Sequence, residues 1–277
     1  MIISASFQHE EVLGLKFGYQ PIGKPKLYAH IYFVDGLLID TGQCKARKSI
    51  ISETKQLAVE QIFITHHHED HTGNIPEIQA LHNCNVYASE LCCQMMKAPP
   101  PLSFAQKLTW GDRPAQHDLI PKTQTIETKK YRFDIIPIPG HSPDMVALYE
   151  PDRQWLFSAD LYLNSYIDYF LKDESITDQI ESIKRILKLD FKTMLCSHKP
   201  QLQNGKQQLT KKLNFLETFF HEVSSLYLKG YSAKEIFKSM KLKENRFVKM
   251  LSGGGLSKQN MVESVIRDLI KQKEGVV

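Results

Sequence analysis

The sequence predicts a mixed α/β fold, with an α/β domain over residues 1–200 and a helical extension over 201–277. Three observations predict it. Short apolar or β-branched runs alternate with amphipathic stretches as far as Cys196, the pattern of a domain built from layers of strand and helix. Chemically capable polar residues stand directly after several of those runs, where α/β folds place their functional loops. Beyond Pro200 only helical periodicity remains.

The elements read as follows. Leu27–Val34 and Gly36–Asp40 are the first strands, and Asp35-Gly36 between them is a hairpin signal. Lys45–Leu57 reads as a helix and Gln61–Thr65 as a strand. Next come a helix at Asn74–His82, a strand at Val86–Ala88, and a helix at Ser89–Met96 capped by Ser89. Ala98–Leu102 must be extended, because each of its prolines disfavours helix at the residue before it. Tyr131–Ile138, Met145–Tyr149 and Trp155–Ser158 are strand-like. Asp173–Leu189 is an amphipathic helix with Ile176, Ile180, Ile183, Ile186 and Leu187 on one side. Thr193–Cys196 is the last strand. In the extension, Leu209, Leu213, Leu216, Phe220, Val223 and Tyr227 form a helical stripe closed by Gly230. Helices follow at Ser232–Met240 and Glu244–Leu251, and a final one starts from a cap at Ser257 and runs to about Lys273.

Composition narrows the function classes. The 277 residues are 42% hydrophobic and 24% charged, as in ordinary globular proteins. A net charge of +4 is too mild to imply a nucleic-acid partner by itself. No apolar run approaches the roughly 20 residues of a membrane span, so no membrane partner is expected. The first residues lack the basic-then-apolar pattern of a signal peptide. Five cysteines, two of them adjacent at Cys92-Cys93, fit reduced thiols and hence a cytoplasmic location.

The chemistry is concentrated in His66-His67-His68-Glu69-Asp70-His71. On a tight loop after a strand, His66, His68, Asp70 and His71 can aim several ligands into one small volume. Imidazole and carboxylate suit Zn²⁺ at about 2.0–2.2 Å. A solvated loop with coincidental histidines is the bland alternative, and this spacing makes it poor. His141 follows Pro139-Gly140, Asp160 ends Leu156-Phe157-Ser158-Ala159, and His198 ends Leu195-Cys196-Ser197. All three stand just beyond a strand-like segment.

These residues carry a resemblance. Thr65-His66-His67-His68-Glu69-Asp70-His71-Thr72-Gly73-Asn74 resembles the metallo-β-lactamase superfamily. So do Leu38-Ile39-Asp40-Thr41-Gly42, Pro139-Gly140-His141-Ser142, Ser158-Ala159-Asp160 and Ser197-His198, in that family's order over about residues 25–200. The resemblance implies an αββα sandwich with a two-metal centre at one edge. It implies that His66, His68 and His141 hold one ion and that Asp70, His71 and His198 hold the second. Asp160 would bridge, and Asp40 would brace the site through hydrogen bonds. The implied chemistry is hydrolysis by water made nucleophilic between two divalent cations, zinc first, with manganese or iron as alternatives. Asp70 is expected to orient that water as well as bind metal, and to pass a proton to the leaving group. Two-zinc antibiotic-hydrolysing relatives carry Cys where this chain has Asp160, so the aspartate is similar to the glyoxalase II, lactonase and ribonuclease branches instead.

The substrate is therefore expected to be a small molecule with an ester-like bond, a thioester or a lactone. The alternative is a phosphodiester in nucleic acid, but the short stretch between Asp160 and His198 leaves no room for the nucleic-acid-binding insertion of such nucleases. A third reading is a non-catalytic binding or redox scaffold; the complete hydrolytic ligand set argues against pure scaffolding, and redox use would need iron and an electron partner. Tyr162, Asn164, Tyr166, Tyr169 and Phe170 either line a pocket or pack the domain, and Tyr162 or Tyr166 could meet a developing oxyanion. Leu102, Phe104 and Trp110 could be a lid or a surface excursion. His67 is read as an exposed spacer, His30 as a strand residue near the site, and Cys196 as buried core. The extension resembles the C-terminal part of β-lactamase-like protein 2 relatives and glyoxalase II-like hydrolases. Lys241, Lys243 and Arg246 there could meet an anionic substrate or form a solvated face.

Overall fold

A hairpin that the sequence pattern does not disclose opens the chain. In the computed structural model, which describes residues 2–20, 25, 27–252 and 254–274, β1 (Ile2–His9) pairs antiparallel with β2 (Val12–Tyr19). Its signal is weak because Gly14 and Gly18 interrupt β2. Phe7 stands opposite Gly14 and its ring fills the space a side chain would take. The next hairpin, β3 (Ala29–Val34) and β4 (Leu37–Ile39), turns at Asp35-Gly36, both with positive φ as a tight two-residue loop requires.

A short 3-10 turn leads into α1 (Arg47–Thr54), followed by β5 (Gln61–Ile64), α2 (Glu69–Thr72), α3 (Ile75–His82) and β6 (Asn85–Ala88). Then come α4 (Glu90–Lys97), α5 (Phe104–Thr109), β7 (Ile120–Pro121), β8 (Thr125–Glu127) and β9 (Arg132–Pro137). β10 (Val146–Glu150), β11 (Trp155–Ala159), β12 (Phe170–Leu171), α6 (Ile176–Leu187) and β13 (Thr193–Cys196) complete the sandwich. The extension holds α7 (Gly205–Leu228), α8 (Ala233–Ser239), α9 (Arg246–Leu251), β14 (Leu256–Ser257) and α10 (Lys258–Lys273). Ser89 caps α4 and Ser257 caps α10, each accepting from the backbone N–H three residues on. The sequence pattern gives no sign of α5; a capping box between Ser103 and Gln106 starts it just after the prolines.

Seven strands in the order β1 to β7 form one sheet, and β13-β11-β10-β9-β8 form the second. Tyr32, Ile39 and Phe63 of the first pack on Phe133, Leu148 and Phe157 of the second, so the sheets lie face to face over a shared apolar core. The Tyr32 and Phe157 rings meet edge-on at 5.5 Å. Ile50, Ile78, Cys92 and Met96 cover the outer face of the first sheet. Ile183, Leu209, Leu216 and Val265 do so for the second, packing with its Leu156 and Met194. This is the αββα sandwich expected. In α7 the buried aromatic is Phe219, with the anticipated Phe220 only half-buried, a drift of one position over a long helix.

β4 and β5 run parallel, as do β11 and β13. Asp40, His66, Asp160 and His198 thus all leave the C-terminal ends of strands. β12 pairs with β14, tying the segment after Asp160 to the extension. Among the described residues no helix is long and apolar enough to cross a membrane.

Candidate metal centre

The loop after β5 carries His66 and His68, and the turn after β9 carries His141. Their ligand atoms lie within 4.8 Å of one another. His68 Nδ1 and His141 Nε2 face each other at 3.0 Å. The Thr65 hydroxyl lies 2.9 Å from Asp40 Oδ2 and 3.1 Å from His66 Nδ1. By donating to Asp40 it can accept from the His66 ring, which leaves Nε2 of His66 as the lone-pair side. Burial, then the neighbouring imidazoles, pushes His66 and His68 well below the usual histidine range, keeping both neutral.

The second group is Asp70, His71, Asp160 and His198, again within 4.8 Å. Each ring has its far nitrogen engaged. His71 Nδ1 is 2.7 Å from Asp40 Oδ2, and His198 Nδ1 is 2.6 Å from the Tyr28 carbonyl. Burial opposes charge on these rings, yet the carboxylates outweigh it. His71 is raised well above its ordinary value and His198 to about 9. Burial also works against the Asp160 charge, but His198 and His71 hold its carboxyl well below the usual range.

Asp160 touches both groups. Its Oδ2 lies 3.3 Å from His141 Nε2 and 3.1 Å from His198 Nε2, and its Oδ1 lies 3.4 Å from His71 Nε2. Asp40 and Ala159 hold the left-handed region at φ 63° and 44°, a conformation costly for non-glycine residues and common where a site over-determines the backbone.

The donor set fits divalent cations. His66 Nε2, His71 Nε2 and Asp160 Oδ1 are buried and have no hydrogen-bond partner. Such orphaned polar atoms are costly unless something else satisfies them. Facing imidazole nitrogens beside carboxylates are what Zn²⁺ and similar ions coordinate. Cation binding would displace the protons that the carboxylates otherwise favour on His71 and His198.

The metallo-beta-lactamase superfamily profile matches residues 26–198. The chain belongs to that superfamily. A hydroxyacylglutathione hydrolase of Legionella pneumophila (strain Corby) is 27% identical over 184 residues, 65% of this chain and 64% of that protein. One of Serratia proteamaculans is 24% identical over 217 residues, 77% of each. The chain spans 64% and 50% of the lengths of the Legionella protein and of a 28% identical Bdellovibrio bacteriovorus hydroxyacylglutathione hydrolase. Among solved structures, a metallo-beta-lactamase family protein of Thermus thermophilus has a TM-score of 0.65 at 17% identity. It covers 99% of this chain and 94% of its own, a likeness of fold. The His/Asp cluster lies wholly within the residues that the superfamily profile matches.

Several side chains stand where the sequence did not point. His67 is only 4% exposed, not an exposed spacer. Its backbone N–H and its Nδ1 both lie 2.8 Å from the Asp144 carboxylate. Arg113 donates to the His67 carbonyl and to that of Pro100, tying the excursion of residues 98–119 to the loop that carries His66 and His68. Asp144 lies three residues past His141, a spacing visible in the sequence; Arg113 had no such signal. His30 is buried, and its backbone and ring nitrogens reach the Ser197 carbonyl at 2.7 and 2.8 Å.

The residues weighed for the substrate separate clearly. Tyr162 is 1% exposed, its hydroxyl set on Ser165, and Phe170 is fully buried, so both pack the core. Tyr166 is exposed and stacks edge-on against Phe215. Phe104 is 79% exposed, whereas the Trp110 ring comes to 6.1 Å from that of His198. Lys241, Lys243 and Arg246 are exposed.

Proposed function

We propose that this chain is a dinuclear metal-dependent hydrolase that cleaves an ester-like bond, a thioester or lactone, of a small molecule. Asp160 carries the reading: one carboxylate reaches His141 on one side and His71 and His198 on the other. His66, His68 and His141 would hold the first ion, Asp70, His71 and His198 the second, and Asp160 both. Zinc suits this set best, with manganese or iron as alternatives. When bound, the pair supplies Lewis acidity and brings the pKa of a water towards neutrality.

The remaining work falls to the chain. Asp70, 3.4 Å from His198 Nε2 through its Oδ2, would orient the attacking water and hold a proton for the leaving group. Asp40 fixes the His71 ring, and Thr65 fixes His66. Trp110 beside His198 offers an apolar wall to the substrate. The names of the curated relatives support a thioester. The catalytic unit is assigned to residues 1–200 and the extension to 201–277, and five unpaired cysteines support a cytoplasmic location.

The test is elemental analysis of the purified chain with a panel of S-lactoylglutathione, an acyl-homoserine lactone, bis-p-nitrophenyl phosphate and nitrocefin. Two ions per chain and a thioester or lactone rate well above the phosphodiester rate are expected, with His68→Ala and Asp160→Ala losing metal and turnover together. Full metal content with unchanged activity in either variant rejects the assignment, and a dominant phosphodiester rate moves it to the nuclease branch.

A further inference from the structure

Glu174 lies outside every motif in the sequence, yet it is only 7% exposed and stands behind the metal centre. Its Oε1 is 3.5 Å from His141 Nδ1, the ring nitrogen that faces away from His68 and Asp160. Both oxygens of the carboxylate are fixed. The Leu171 backbone N–H donates to Oε1 at 2.9 Å, and Gln179 Nε2 donates to Oε2 at 2.6 Å. The Ser175 N–H donates to the Gly140 carbonyl, so this segment is seated on the turn that presents His141. Gly140 has φ 135°, and a Cβ there would come 2.5 Å from the Gln179 backbone nitrogen; the two segments leave no room between them.

The C-terminal helix holds Glu174 in place. Ser264 Oγ donates to the Glu174 carbonyl at 2.8 Å and Arg267 Nη2 at 2.6 Å. The Asp268 carboxylate accepts from Ser175 Oγ at 3.0 Å and from the Thr177 N–H at 3.1 Å. Ser264 and Asp268 are themselves buried. The connection therefore runs α10 to Glu174 to His141 through partners that are mostly enclosed.

We propose that Glu174 is the positioning residue for His141 and that α10 sets it, so that the C-terminal helices form part of the metal centre. The inference rests on the dinuclear reading above. A carboxylate accepting from Nδ1–H fixes the tautomer with Nε2 free for a cation and raises the ring's strength as a ligand; losing such a partner typically weakens metal binding about 10- to 100-fold.

The experiment titrates metal-free chain with zinc alone against a chromophoric chelator, in the intact protein. Glu174→Gln, which keeps shape and removes charge, is expected to weaken one of two zinc ions about 10- to 100-fold, leaving the other and the metal-free melting temperature unchanged. Glu174→Asp restores part of the affinity. Ser264→Ala with Arg267→Met, far from the ligands, weakens the same ion by a smaller factor. Wild-type affinity for both ions in Glu174→Gln overturns the proposal. Equal losses in the Gln and Asp variants, matched by equal losses of metal-free stability, overturn it as well, since the role is then structural. A wild-type chain that takes up no zinc overturns the centre itself, and the Glu174 role with it.

Discussion

Asp40 Oδ2 lies 2.7 Å from His71 Nδ1, while Asp40 Oδ1 accepts the Thr65 backbone N–H at 2.8 Å. One buried carboxylate thus orients a candidate ligand and closes the loop that delivers two more. Asp40→Asn removes the charge that fixes the His71 tautomer. Zinc competition with a chelator is expected to show about 10- to 100-fold weaker binding at the Asp70–His71–His198 group. Unchanged affinity there would remove Asp40 from the metal-supporting network.

The pair of Asp144 and His67 predicts a stability effect instead. Asp144→Ala strands a buried backbone N–H and a buried ring nitrogen, both bonded to a carboxylate 2% exposed. Charged hydrogen bonds of this kind, with the cost of leaving partners unsatisfied, give an expected loss of about 3 kcal/mol. Urea unfolding of the metal-free variant measures it; a loss below about 1 kcal/mol contradicts the picture of an enclosed pair.

Lys212 predicts a pH dependence. From α7 its Nζ donates to the Leu161 carbonyl, one residue beyond Asp160, with the side chain 1% exposed. Burial lowers it from the ordinary 10.5 to about 8. The unfolded chain therefore binds the extra proton between about pH 8 and 10.5. Over that window folded stability rises with pH as the buried ammonium becomes neutral. Lys212→Met has no such contribution. The melting temperature of the wild type relative to this variant is expected to shift upward between about pH 7.5 and pH 10; a constant difference would mean that the ammonium is not desolvated as the burial indicates.

The sandwich and much of the centre were legible because their signals are local. Asp35-Gly36 names its own turn, Ser89 and Ser257 name their helix starts, and the histidine cluster announces ligands by spacing alone. The first hairpin escaped because a pair of glycines in β2 erases alternation, with the Phe7 ring filling the space at Gly14 and the Tyr28 ring that at Gly18. α5 escaped behind three prolines, its capping box too short a signal to outweigh them.

By itself, the sequence determined the types and order of the candidate ligands and the class of fold, since each depends on residues adjacent in the chain or on a regular period. Only the tertiary structure decided that His67 is buried against Asp144, that Arg113 anchors the excursion, and that Glu174 stands behind His141 under the hold of α10. Those contacts join segments far apart in the chain, and no local spacing encodes them: they exist because two sheets and their covering helices close over a common core.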